Sequence, residues 1–239
     1  MAGPWPVAFF GFQQSANFST DARVLALLAV HEHNTALLVD GGHPGRGTPN
    51  WEMAQWRGLL QSAAAWPEIN GAAVAGAAAV GYLQALLLQG GVYPDGVETE
   101  MASGYDMGTA SDFFSVLAVI KQADRLPPPP AAFADRVEMM YDYGAFIADP
   151  MGCLPRNGDS DLCGSGFNQA AASYFNRDDW VYAHTHGQAG SRRPDLTSYM
   201  APWAGQAALR DGWGVNATWL WFDVGPFGSN GCHAHRDKQ

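Results

Sequence analysis

Between Thr20 and Pro150 the sequence repeats one cadence: an apolar stretch of helical period, a short Gly or Pro break, then another apolar stretch. Proline cannot continue a helix and glycine readily ends one, so this punctuation predicts successive helical hairpins. Thr20-Asp21 opens a first helix that runs to Val39 and stops at Gly41-Gly42. Pro49-Asn50 opens a second through Ala65, and a third spans Ala72 to Leu88, where Ala75, Gly76, Ala77, Ala78 and Ala79 predict close backbone contact with neighbours. The fourth covers Ala110 to Ala123 and is halted by Pro127 to Pro130; the fifth covers Ala131 to Ala148. Helices apolar around much of their circumference must bury more than one face, which suits a layered all-helical array such as an α/α toroid.

After Pro150 the texture changes to Gly, Asn, Asp and Ser, with short helical candidates only at Asn168 to Phe175 and Asp178 to His184. From Gln206 the period becomes two, in Gln206 to Arg210 and again in Ala217 to Asp223, which predicts the first strands of an antiparallel sheet. Two strands are marginal alone. The expected organisation is therefore mainly α: an incomplete toroid-like domain with a connecting region over residues 1–200, then the start of a truncated β-sandwich over 201–239.

A formal charge of −10 repels nucleic acid at long range and excludes it as a partner. The same charge means that an acidic polymer could bind only where the few basic residues gather in one cleft. No apolar run reaches the roughly 18 residues that span a bilayer. The opening Met1 to Gln14 is apolar but has no basic n-region, so it is not read as a signal peptide. Cys153 and Cys163 bracket a short loop that a disulfide could close, and buried free thiols fit them equally well.

Four polar clusters interrupt the apolar background at element boundaries, where working groups tend to sit. They are Thr48 to Glu52, Pro94 to Glu100 with Tyr105, Leu154 to Asp161, and Gly225 to Lys238. The last is the most specific. Two imidazoles separated by one residue, His233 and His235, follow a Gly-rich turn and precede Asp237, and core packing does not explain them. The pairs His31/His33 and His184/His186 read as structural.

Here the chain resembles the heparinase II/III superfamily, which includes the oligo-alginate lyases. Asp223-Val224-Gly225-Pro226 and His233-Ala234-His235-Arg236-Asp237 match its Asp-x-Gly-Pro and His-Gly-His-Ala-Asp-like signature. Leu209 to Trp213 resembles its first sandwich strand, Pro94-Asp95-Gly96 with Glu100 and Tyr105 resembles its Pro-Asp-Gly segment, and Asn50-Trp51 resembles its helix-start Asn. The chain departs from many relatives at Asp106, where they carry His, and at Ala234, where they carry Gly.

The resemblance implies a carbon–oxygen lyase that cleaves an acidic, uronic-acid-containing polysaccharide by β-elimination, in a secreted, periplasmic or lumenal setting. It makes Asn50, Tyr105 and His233 the catalytic residues and His235 a ligand of a structural zinc whose other ligands lie beyond Gln239; Trp51 and Asp159 are read as substrate contacts, with the role of turn former open for Asp159. Removing the weakly acidic C5 proton of a uronate requires a neutralised carboxylate, which the Asn50 amide can provide. A phenol ionises near pH 10 in water, so Tyr105 needs a neighbouring cation or donor if it is to carry the proton, and His233 is that neighbour. Two readings compete: a glycoside hydrolase using paired carboxylates drawn from Asp95, Glu98, Glu100 and Asp106, and a non-catalytic glycan-binding fragment. The plain alternative for Asn50 is an N-cap of the helix it opens.

Overall fold

The computed structural model describes residues 5–12, 14–40, 48–123, 126–160, 163–226 and 233. Among the described residues eight helices precede the sheet: α1 (Trp5–Phe12), α2 (Thr20–Asp40), α3 (Pro49–Ala65), α4 (Ala72–Gln89), α5 (Ser103–Gln122), α6 (Ala131–Ile147), α7 (Gln169–Phe175) and α8 (Asp178–His184). Three short strands follow, β1 (Tyr199–Ala201), β2 (Gln206–Arg210) and β3 (Trp219–Asp223), in one antiparallel sheet ordered β1-β2-β3.

Helices α3 to α6 form the array that the Gly/Pro punctuation predicts. α3 packs on both α4 and α5, and α6 packs on α4, α5 and α8. Met53, Leu59, Leu83, Phe113 and Met140 are fully buried at their common centre. By length and composition α4 also reaches the threshold for a membrane span, which corrects the expectation that no run does. Ala72, Ala75, Ala79, Leu83 and Leu87 nevertheless give it a buried stripe against its neighbours, as in a core helix.

Three elements differ from the sequence reading. α1 forms within the apolar opening, and β1 adds a strand too short to show a period. α5 begins at Ser103 and not at Ala110, because its weakly helical opening (Ser103, Gly104, Gly108) is held by another part of the chain. Cys153 and Cys163 form a disulfide, which settles the two alternatives in favour of the bridged loop.

The sheet is fastened to the helices through its inner face. Tyr143 donates to Gln206 Oε1 at 2.8 Å, Gln206 Nε2 donates to Asp223 Oδ2 at 3.1 Å, and Arg210 donates to the carbonyls of Phe146 and Ala148 that end α6. Asp95, in the loop after α4, accepts the backbone N–H groups of Trp203 and Ala204. Strand register aligns Met200, Ala207 and Phe222, and beside them Leu209 and Leu220, on the opposite face, where all but Ala207 are exposed. The chain leaving β3 thus starts from a sheet anchored on the helical array.

Candidate functional site

Asn50 is the second residue of α3, after Pro49 and the N-cap Thr48. Its side chain therefore does not cap the helix. Its backbone N–H, one of the donors a helix start leaves unpaired, is instead satisfied from 50 residues away: it donates to Glu100 Oε1 at 3.1 Å. The Asn50 Oδ1 is shielded from solvent and has no hydrogen-bond partner among the described residues. Trp51, next along the same turn, leaves half of its surface exposed.

Tyr105 lies in the first turn of α5, whose N-cap position, Ala102, cannot cap. The segment from Pro155 to Ser160 does that work. Asn157 Oδ1 accepts the Ser103 N–H at 3.1 Å, Ser160 Oγ accepts the Gly104 N–H at 3.1 Å, and Ser103 Oγ donates to the Pro155 carbonyl at 2.6 Å. Asn157 Nδ2 returns a hydrogen bond to the Met101 carbonyl at 2.7 Å. The loop that carries Asp159 is in this way locked to the helix start that carries Tyr105.

His233 sits where these two pieces meet. Its ring stacks on Tyr105 with centroids 3.9 Å apart and planes inclined by 23°. Nδ1 lies 2.6 Å from Asp159 Oδ2, and Nε2 lies 3.4 Å from Glu100 Oε2. Its backbone presses on Gly158, where an added Cβ would stand 2.1 Å from the His233 carbonyl oxygen; with φ of +55° as well, that position requires glycine. Tyr105, Asp159 and Glu100 therefore all meet the His233 ring, and Glu100 links it to the Asn50 backbone. Asp159, expected against the substrate, turns its carboxylate to His233.

Beneath the site are carboxyl groups with almost no access to water. Glu98 and Glu100 are 0% exposed, Asp106 1% and Asp95 8%. Asp106 Oδ2 accepts the Glu98 N–H at 3.1 Å, so the residue standing where many relatives carry His points into the protein. Burial pushes the Glu98 carboxyl well above the usual range, and the neighbouring Glu100 and Asp106 push it further. Burial likewise raises Asp106, and it raises Glu100 against the opposing pull of the Asn50 N–H and the His233 ring. A hydrolase needs two carboxyl groups flanking the bond it cuts, and these four are nearly or fully buried.

A stability prediction follows for Glu98, both of whose oxygens lack a partner among the described residues. Its folded pKa lies above its unfolded value, so its contribution is present below the ordinary carboxyl range and is lost as pH rises through the raised folded value. Glu98→Gln removes that loss. The variant should melt close to the parent in acid and above it at pH 8, the gap widening with pH, each kcal/mol appearing as about 2–4 °C. Parallel melting curves across pH would show that Glu98 carries no such penalty.

His235, expected to hold zinc, lies outside the described residues. Among the described residues no group of three or more His, Cys, Asp or Glu side chains could hold a metal ion. His184 stacks on Phe167 at 4.2 Å, in keeping with a structural role.

Sequence reasoning misses the part played by Glu100 and by the capping loop, Asn157 and Ser160. Glu100 belongs to the Pro-Asp-Gly segment, but nothing in its local sequence announces partners 50 residues before it and at His233.

Residues 3–182 match the family model described as Heparinase II/III N-terminus. Among solved structures, one titled heparinase III aligns over 99% of this chain and 39% of its own, at 20% identity and a TM-score of 0.81. The heparan sulfate lyase HepC from Pedobacter heparinus aligns over 99% of this chain and 37% of its own, at 21% identity and a TM-score of 0.71. A gene product also titled heparinase III aligns over 98% and 36%, at 22% identity and a TM-score of 0.77. The chain thus spans under two-fifths of the length of these proteins and shares their fold. No curated protein matches it.

Proposed function

The chain belongs to the heparinase II/III family, a polysaccharide lyase family, through its N-terminal helical domain, and from that premise we propose that it carries the cleft of an enzyme cleaving a uronic-acid-containing polysaccharide by β-elimination. The observation that carries this reading is the Tyr105–His233 stack, with His233 hydrogen-bonded to Asp159 and faced by Glu100, which accepts the Asn50 backbone N–H.

In the proposed reaction Tyr105 takes the C5 proton of the uronate. The electron pair of the C5–H bond forms the C4=C5 double bond, the C4–O4 bond breaks, and O4 leaves with a proton that the same phenol can return. Charge builds on the C5 carboxylate as it takes on enolate character, and the Asn50 amide stabilises it. The His233 ring, stacked on the phenol and oriented by Asp159 through Nδ1, acts as the partner of Tyr105 or as base on the opposite face. The exposed Trp51 indole offers a flat apolar face to a sugar ring. The disulfide fits a secreted, periplasmic or lumenal setting. Zinc at His235 stays a proposal resting on the family resemblance, and none of this chemistry passes through a metal.

Incubating the full-length protein with a glycosaminoglycan or alginate should generate unsaturated uronate ends, seen as a rise in ultraviolet absorbance. Saturated reducing ends alone would support hydrolysis and reject the reading.

A further inference from the structure

We propose that Glu100 is a positioning residue, a single buried carboxylate that fixes the distance between the start of α3, which carries Asn50, and the ring of His233. The assignment rests on the lyase reading for the roles of those two residues, but the tether itself is read from geometry. One oxygen, Oε1, accepts the Asn50 N–H at 3.1 Å; the other, Oε2, faces His233 Nε2 at 3.4 Å. At 0% exposure Glu100 reaches neither solvent nor a bound sugar, so it acts only through its neighbours.

A tether is useful only if its own mount is rigid. The loop holding Glu100 is pinned on both sides: the Thr99 N–H and hydroxyl both donate to the Gly91 carbonyl, at 3.0 and 3.2 Å, and the Met101 N–H donates to the Glu98 carbonyl at 3.0 Å. Val92 and Glu98 form an isolated antiparallel bridge across the same loop. The Asn157 Nδ2–Met101 carbonyl bond ties its end to the segment that carries Asp159. His233 is consequently hydrogen-bonded to Asp159 on one side and approached by Glu100 on the other, and the loops that carry the two acids are bonded to each other. A ring sliding along Tyr105 would have to lengthen the Asp159 bond or leave Glu100. Asn50 and His233 arrive from the helical array and from the segment beyond the sheet, and Glu100 is the one residue in direct contact with both among the described contacts.

The experiment is a double-mutant comparison in the full-length protein, measuring kcat and KM by ultraviolet absorbance together with melting temperature. Glu100→Ala should lower kcat about 10²-fold, the scale of loss from a misplacement of about 1 Å, with KM nearly unchanged. Glu100→Gln, which can still accept the Asn50 N–H, should recover much of that loss. In a His233→Ala background Glu100→Ala should cost less than about tenfold, because residues that act through one contact are not additive. Equal fold-losses in both backgrounds, or a lower melting temperature with kcat intact, would overturn the proposal. If Glu100→Ala fails to fold, Glu100→Gln with and without His233→Ala supplies the same comparison. An inactive parent would defeat the lyase reading instead. The tether would then be judged by NMR, where Glu100→Gln must shift the His233 ring resonances if the contact exists and leave them in place if it does not.

Discussion

Tyr105→Phe in the full-length protein is expected to lower kcat by about 10²–10⁴-fold or more, the range that a general acid–base group contributes, while KM changes little. The substitution deletes one oxygen. It keeps the ring that stacks on His233 at 3.9 Å, so the melting temperature should hold and the loss should be chemical. The size follows from the proposed reaction, which assigns to one group both the removal of the C5 proton and the return of a proton to O4, so that its loss would disable both steps. A variant that kept nearly full activity would strip Tyr105 of this role and leave His233 as the base. A second comparison separates chemistry from architecture: His235→Ala should act through stability or zinc content and not through the proton transfer. If His235→Ala abolished turnover in a folded protein while Tyr105→Phe did not, the reaction would have to be rebuilt around a metal.

The helical hairpins are legible in the sequence because Gly and Pro act locally. Pro49 is the first residue of α3, Gly71 and Pro130 immediately precede α4 and α6, and each boundary falls within a residue of its expected place. The start of α5 escapes such a reading because it is not local. Ser103 and Gly104 are weak helix formers whose N–H groups are satisfied from Asn157 and Ser160, more than fifty residues on. The same distinction runs through the site. Asn50, Tyr105 and His233 are picked out by motif, and the motif carries no hint of what holds them. Glu98, Glu100 and Asp106 read from sequence as candidate catalytic carboxylates at an element boundary, and only the fold shows them enclosed. Asn50 reads equally well as an N-cap; the capping position is Thr48, and the Asn50 backbone finds its acceptor in Glu100.

That correction sharpens the expectation for Asn50→Ala. A side chain spent on capping would cost about 1 kcal/mol of stability when removed and leave turnover intact. Here the helix start keeps its Glu100 acceptor after the substitution, because the bond is made by the backbone. Stability should therefore change little, and kcat should fall by about 10²–10³-fold, the scale seen when one donor to a developing anion is lost. Because the amide matters most as the carboxylate gains enolate character, kcat should fall more than KM rises. Asn50→Asp is the harsher variant of nearly the same shape. It sets a carboxylate against the uronate carboxylate, so KM should rise along with the loss of kcat. Kinetics and melting curves on the two variants decide between the roles. Lower melting with unchanged kcat for Asn50→Ala would return Asn50 to a structural part, and an Asn50→Asp variant that binds and turns over like the parent would remove the substrate carboxylate from its side of the cleft.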